Sequence, residues 1–295
     1  MSYIIICNTG SDTLSRFSIE EEKSYNFAFS AGEKPFGPHG ICTYKNNLVT
    51  ANSYNNTISI ISKDTFEEIN NIYVGPHPTD VAYVNGKIYS ICRDGNCINI
   101  FNTKNNSMEY EIMVGNIPHS ISVHENQKIG LITNMGEDSV VLFDFHSNRI
   151  IDKISTGKIP TKSIISKDGK YVYVIISNLG YDINGRILIF DLKSMDKVNE
   201  IQVGKGSVDA FEYCSKLYVS NFCDESISVV NLKNQTEEKR YIIKNSMPRG
   251  IIIKNDNIYF GDYYCGLLHI INLNTSKKKS IAIGKEPNAM ILQEY

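Results

Sequence analysis

The chain has six histidines, few enough to place one by one. His39 and His119 each follow a proline directly, in Pro38-His39-Gly40 and Pro118-His119-Ser120, and His77 stands one residue before Pro78. Three imidazoles in one recurring context could hold Zn²⁺ or a similar divalent ion, and His39 or His119 could act as a general acid or base. Arg93, Lys162 and Arg249 could clamp a carboxylate or phosphate. Asp80, Asp209 and Asp262, with asparagine neighbours, could build an oxygen-rich cation site. The plain alternative for all of them is a solvated rim of scattered polar groups. No motif decides the matter: H-E-x-x-H, G-x-S-x-G, a glycine-rich phosphate loop and C-x-x-C-H are all absent. No cofactor is expected beyond a possible divalent metal.

These residues sit in a repeat. Val74-Gly75-Pro-His-Pro78 is matched by Val114-Gly115-Asn-Ile-Pro118, Thr156-Gly157-Lys-Ile-Pro160, Val203-Gly204-Lys-Gly-Ser207 and Ile283-Gly284-Lys-Glu-Pro287. A degenerate copy runs from Lys244 to Pro248, and a longer first copy from Ala31-Gly32 to Pro38. From Gly32 the glycines recur at intervals of 43, 40, 42 and 47 residues, and Gly284 lies two further steps on. Each unit carries a short apolar strand and a polar turn. A strand such as Tyr171-Val-Tyr-Val174 follows and commonly ends in Asn, then a third such as Ser226-Ile-Ser-Val-Val230, then a more polar fourth. Alternation, β-branching and turns about every 8–12 residues mark all-β structure.

Four strands per unit and seven units predict a seven-bladed β-propeller, with residues 1–295 as a single domain. The last unit stops after one strand at Met290-Ile-Leu-Gln-Glu-Tyr295, and Tyr3–Asn8, Thr13–Phe17 and Ser24–Phe29 supply the other three. The last blade is therefore expected to be closed by both termini, which covers edges that would otherwise pair with another chain.

The pattern V-G-x-x-P-x-x-[IV], [KR]-x-Y-V-x-N, V-x-V-[FI]-[DN], read here at Val114–Asp144, Thr156–Asp191 and Val203–Asn231, resembles the YVTN-type β-propeller repeat. It departs from that pattern at Arg93, Asp262 and Ser207. The resemblance implies a propeller. It leaves activity open, because related folds include lactonases, metal-dependent sugar-acid hydrolases, cofactor-bearing oxidoreductase subunits and plain binding proteins.

Aligning the repeats predicts two rings at the channel mouth. The inner one is His39/Gly40, Thr79/Asp80, His119/Ser120, Thr161/Lys162, Val208/Asp209, Arg249/Gly250 and Asn288/Ala289. The second ends the next strand with Asn52, Arg93, Asn134, Asn178, Asn221, Asp262 and Asn8. The asparagines serve either a ligand or the turn backbone. Tyr54, Tyr263 and Tyr264 follow the second ring and either stack on a ligand or cover a blade edge. Gly180–Gly185 is a lid or a neutral insertion.

Composition narrows the function classes. Lys+Arg 30 against Asp+Glu 32, with pI ≈ 6.3, lacks the basic footprint of a nucleic-acid binder or a polybasic membrane surface. The apolar runs are strand-sized, and no signal-peptide pattern opens the chain, so a cytoplasmic location is expected. Seven cysteines, an odd number without zinc spacing, read as buried free thiols. Two functions stay open. One is a noncatalytic binding or scaffold propeller that recognises a protein loop or a small polar ligand. The other is a lactonase-like hydrolase or isomerase acting on a small anionic metabolite in the central funnel.

Overall fold

Seven four-stranded antiparallel sheets follow one another along the chain in a computed structural model that describes residues 1–29, 34–124 and 128–294. Six sheets are continuous in sequence, over residues 38–73, 78–113, 118–155, 160–205, 207–242 and 248–282 (blades 1 to 6). Blade 7 joins the chain's ends: Pro287–Glu294 is its first strand, followed by Ser2–Asn8, Thr13–Ser18 and Lys23–Ala28. The closing register runs from Ser2 opposite Glu294 to Asn8 opposite Pro287. The propeller and its shared blade therefore stand as the repeat predicts. Ala31 and Gly32 of the first repeat copy, and Tyr295, lie outside the described residues.

The first strand of each blade packs against the first strand of the next, so these strands line the axis. The second and third strands are apolar on both faces because a neighbouring blade covers each face. Thr57–Ser62 and Ser139–Asp144, for example, are buried except at their last residue. The fourth strands are the exposed outer edges, as Arg149–Ser155 shows. Among the described residues the buried apolar side chains form seven clusters, one for each junction between blades. The junction of blades 7 and 1 is completed by Phe27, Phe29, Phe36 and Phe66 in ring contact. Buried thiols are only part of the cysteine pattern: Cys7, Cys92 and Cys97 are buried, whereas Cys214, Cys223 and Cys265 are exposed in turns.

Candidate functional site at the channel neck

Each first strand starts from a turn whose last residue before the strand takes a left-handed conformation at six of the seven junctions. Gly37 and Gly206 have φ of +61° and +63°, and His77, Ile117, Ile159 and Glu286 reach 50–59°. The residue that opens the strand then pairs with the end of the second strand, as in Pro38 opposite Asn52 and Pro118 opposite Asn134. Pairing slips immediately afterwards in six blades and one residue later, after Arg249, in blade 6. A bulge breaks the strict alternation of side chains and re-aims them. Two successive residues per blade consequently reach the axis.

The result is a narrow neck of about 50 Å³ lined by His39, Gly40, Thr79, Asp80, His119, Ser120, Thr161, Lys162, Val208, Asp209, Arg249, Gly250, Asn288 and Ala289. These are the fourteen positions of the expected inner ring. Groups from nonadjacent blades touch here. The rings of His39 and His119 meet edge to face, 5.7 Å apart. Arg249 Nη2 lies 3.3 Å from His39 Nε2.

Hydrogen bonding fixes the proton positions. His39 Nδ1 is 2.8 Å from the Thr79 carbonyl and His119 Nδ1 is 3.1 Å from the Thr161 carbonyl. A carbonyl only accepts, so each Nδ1 carries the proton and each Nε2 keeps a lone pair. In His39 that lone pair accepts from Arg249. Burial, then the charge of Arg249, holds His39 well below the usual imidazole value and pushes His119 down to about 3. Both rings are neutral near pH 7.

The charges split into two groups. Asp80 Oδ2 accepts from the Ile121 amide at 3.0 Å, tying blade 2 to blade 3, and burial raises its pKa despite Lys162. Lys162 Nζ sits 3.9 Å from Asp209 Oδ1; burial lowers its pKa, but Asp209 and Asp80 outweigh that and raise it. On the other side Arg249 lies 5.7 Å from the centre of the Tyr263 ring. Among the described residues no carboxylate comes within ion-pair distance of Arg249. Ser120 Oγ and Asn288 Oδ1, also in the neck, are buried without a described partner.

The second ring differs from its expected form in two ways. The positions opposite the strand-opening residues are Asn8, Asn52, Cys92, Asn134, Ile176, Asn221 and Asp262. Arg93 and Asn178 therefore lie one and two residues beyond the ring, a register that the Asn-like ends of those strands concealed. Arg93 is the counterpart of Tyr263: both backbone amides donate to the residue before the strand-opening proline. The asparagines also face the sheet interior instead of the channel. Asn52 Nδ2 donates to Thr57 and Ser59, Asn8 to Thr13 and Ser15, and Asn221 to Ser226 and Ser228. Asn134 reaches the Val114 carbonyl and Ser139. Blade 2 reverses the arrangement, since Asn99 on its third strand supplies the amide to the Val74 carbonyl. These buried amides hold hairpins together, leaving Arg93, Tyr54 and Tyr263 as the larger groups of this set at the rim.

His77 stands apart from the other two histidines, with Nδ1 3.4 Å from Asp94 at the surface. Among the described residues no three His, Cys, Asp or Glu side chains group as metal ligands. Of Gly180–Gly185, the first four residues extend the turn before the third strand of blade 4 and Asn184 and Gly185 open that strand; in the turn Tyr181 lies 5.3 Å from Lys158 Nζ and Asp182 pairs with Lys205.

No protein-family model matches the chain, and no curated protein matches it. Solved structures do. A Bacteroides fragilis protein described as a putative 6-phosphogluconolactonase is 15% identical with a TM-score of 0.78, over 99% of this chain and 98% of that one. Kuenenia stuttgartiensis hydrazine synthase is 16% identical with a TM-score of 0.74, over 86% and 89%. Apo AztD from Citrobacter koseri is 12% identical with a TM-score of 0.65, over 99% and 97%. At these identities the likeness is one of fold.

Proposed function

We propose that the protein is a binding propeller of the YVTN-repeat type whose channel mouth takes, without turning it over, a small anionic metabolite, a hydroxylated carboxylate. The observation that carries this reading is Arg249, a largely enclosed guanidinium with no carboxylate within ion-pair distance among the described residues, in the same neck as His119, whose Nε2 keeps an unused lone pair. Arg249 grips the carboxylate, and His119 Nε2 accepts from a neighbouring hydroxyl. Ser120 Oγ and Asn288 Oδ1 add polar contacts. The neck is too small for a whole sugar acid, so the carboxylate enters it and the rest of the ligand lies over the rim formed by Arg93, Tyr54 and Tyr263.

The lactonase-like reading draws on the fold of the Bacteroides fragilis protein and on the same two histidines. A base at about 3, as burial makes His119, has little proton affinity at neutral pH, which favours binding over catalysis. Near-neutral charge supports a soluble small ligand over nucleic acid or a membrane surface, and a cytoplasmic site of action goes with that. No described helix is long and apolar enough to cross a membrane.

Calorimetry with formate, glycolate, gluconate and inorganic phosphate tests the proposal. Gluconate or glycolate should bind, and Arg249→Met should weaken binding at least 10-fold. A flat panel with the wild-type protein overturns the reading. Turnover of a sugar-acid lactone that is lost in His119→Asn would replace it with the hydrolase.

A further inference from the structure

In blades 1 and 7 one side chain from each of the second, third and fourth strands forms a relay of amide, hydroxyl and amide: Asn52, Ser59 and Asn71 in one, Asn8, Ser15 and Asn26 in the other. The same three positions of blade 6 hold Asp262, His269 and Ser280, with Ser280 opposite His269 across the two outer strands. The exchange turns a neutral ladder into an acid, a base and an alcohol. We propose that Asp262, His269 and Ser280 form a second, catalytic site on the outer flank of blade 6, in which Ser280 is an activated nucleophile toward small activated esters.

The geometry assigns each role. Asp262 Oδ2 is 3.2 Å from His269 Nε2, and His269 Nδ1 is 2.7 Å from Ser280 Oγ. Asp262 is 1% exposed, and its Oδ1 accepts from the amides of Met247, Tyr264 and Cys265. Burial raises its pKa, but the bonds from His269, Met247 and Cys265 outweigh this and hold it below the usual carboxylate value. A carboxylate only accepts, so Nε2 must carry the imidazole proton. Nδ1 then bears the lone pair, and the Ser280 hydroxyl donates to it. Phe260 lies against the imidazole, ring centres 5.1 Å apart and planes 31° apart, which fixes the ring's plane. Ser280 itself is exposed on the outermost strand, where an ester can reach it.

A nucleophile, a base within hydrogen-bond reach and a buried group that orients the base form the arrangement that activates a serine. Ser280 Oγ attacks the ester carbonyl carbon while its proton passes to His269 Nδ1. The carbon–oxygen bond to the leaving alcohol breaks, and the alcohol departs with that proton. Water, deprotonated by His269 Nδ1, then attacks the acyl carbon; the bond to Ser280 Oγ breaks, the imidazolium returns its proton to Oγ, and the acid is released. Asp262 stabilises the imidazolium in both steps. This site shares no residue with the channel neck and does not depend on what the neck binds.

The experiment treats the full chain with a fluorophosphonate probe and maps the adduct by peptide mass spectrometry. Ser280 should be labelled at least 100-fold faster than other exposed serines, in line with the ~10²–10⁴-fold typical of a positioned general base. Asp262→Asn installs the residue that blades 1, 3, 5 and 7 carry at this position, so the blade should still fold. The new amide would donate to Nε2 and move the imidazole proton to Nδ1, and labelling should fall at least 10-fold. Long-range ¹H–¹⁵N spectra should show that change of tautomer. His269→Gln should abolish fast labelling independently. Labelling of Ser280 no faster than of other serines, or unchanged by Asp262→Asn despite the tautomer change, overturns the proposal and leaves the trio as a structural ladder.

Discussion

Arg249 in blade 6 and His39 in blade 1 are hydrogen-bonded at 3.3 Å although blade 7 lies between them. The contact shows how tightly the first strands converge, and it makes the state of the neck a property of the closed ring.

Protonation of the neck should cost stability. With a folded-state value of about 3, His119 lies below the ~6.5 of an unfolded histidine. Between these values the unfolded chain binds more protons, so stability falls as pH drops from about 6.5 toward 3. The slope from this residue is at most about 1.4 kcal/mol per pH unit. His39, also lowered, acts with the same sign. Asp80, whose pKa is raised, acts oppositely above the ordinary carboxylate value. Urea unfolding of wild type and His119→Asn at several pH values should show a shallower slope in the variant between pH 6.5 and 4.5.

The reversed relay of blade 2 is equally testable. Asn99→Ala removes the amide donor of the buried Val74 carbonyl and leaves it only the weaker Cys92 thiol. The loss should be about 0.5–1.5 kcal/mol, seen as a lower denaturant midpoint with an unchanged m-value.

Gly250 marks where backbones press together in the neck. Its φ is +63°, and a Cβ there would lie 2.3 Å from the Asn288 carbonyl oxygen. Gly250→Ala should destabilise by about 1–3 kcal/mol or more and lower the thermal midpoint. An unchanged midpoint would mean that blades 6 and 7 can separate freely at the axis.

Removing residues 288–295 should strip blade 7 of its first strand and expose the edge of Ser2–Asn8. Such an edge invites pairing with other chains. Light scattering should report aggregates; a monomer with the original thermal midpoint would refute closure by strand pairing.

Much of this architecture was legible in the chain because the repeat writes it seven times. Glycine spacing gave the blade number, and the truncated last copy placed the closure. The inner ring was legible for the same reason, since it follows a strand-opening residue that is proline in six copies. The second ring was not. Cys92 and Ile176 replace its asparagine, so nearby Arg93 and Asn178 drew the alignment out of register, and one residue of slip turns a side chain to the other face. Nor does spacing tell that an asparagine seven residues before a serine points at it instead of at a ligand. The link between Asp262 and His269 has that same spacing and was missed; its signal was the joint exchange of Asn for Asp and Ser for His.

The shared blade also orders events during synthesis. At roughly 5–20 residues per second, some 15–60 s separate the emergence of the first strands from that of their inner partner. Throughout that interval Ser2–Asn8 presents an unpaired apolar edge, and six finished blades have no seventh to press against. The neck, with its His39–Arg249 contact, cannot exist until Pro287–Glu294 has left the ribosome. Any ligand of the channel therefore meets a fully made ring or none, and a nascent chain depends on its surroundings to keep that first edge apart from its neighbours.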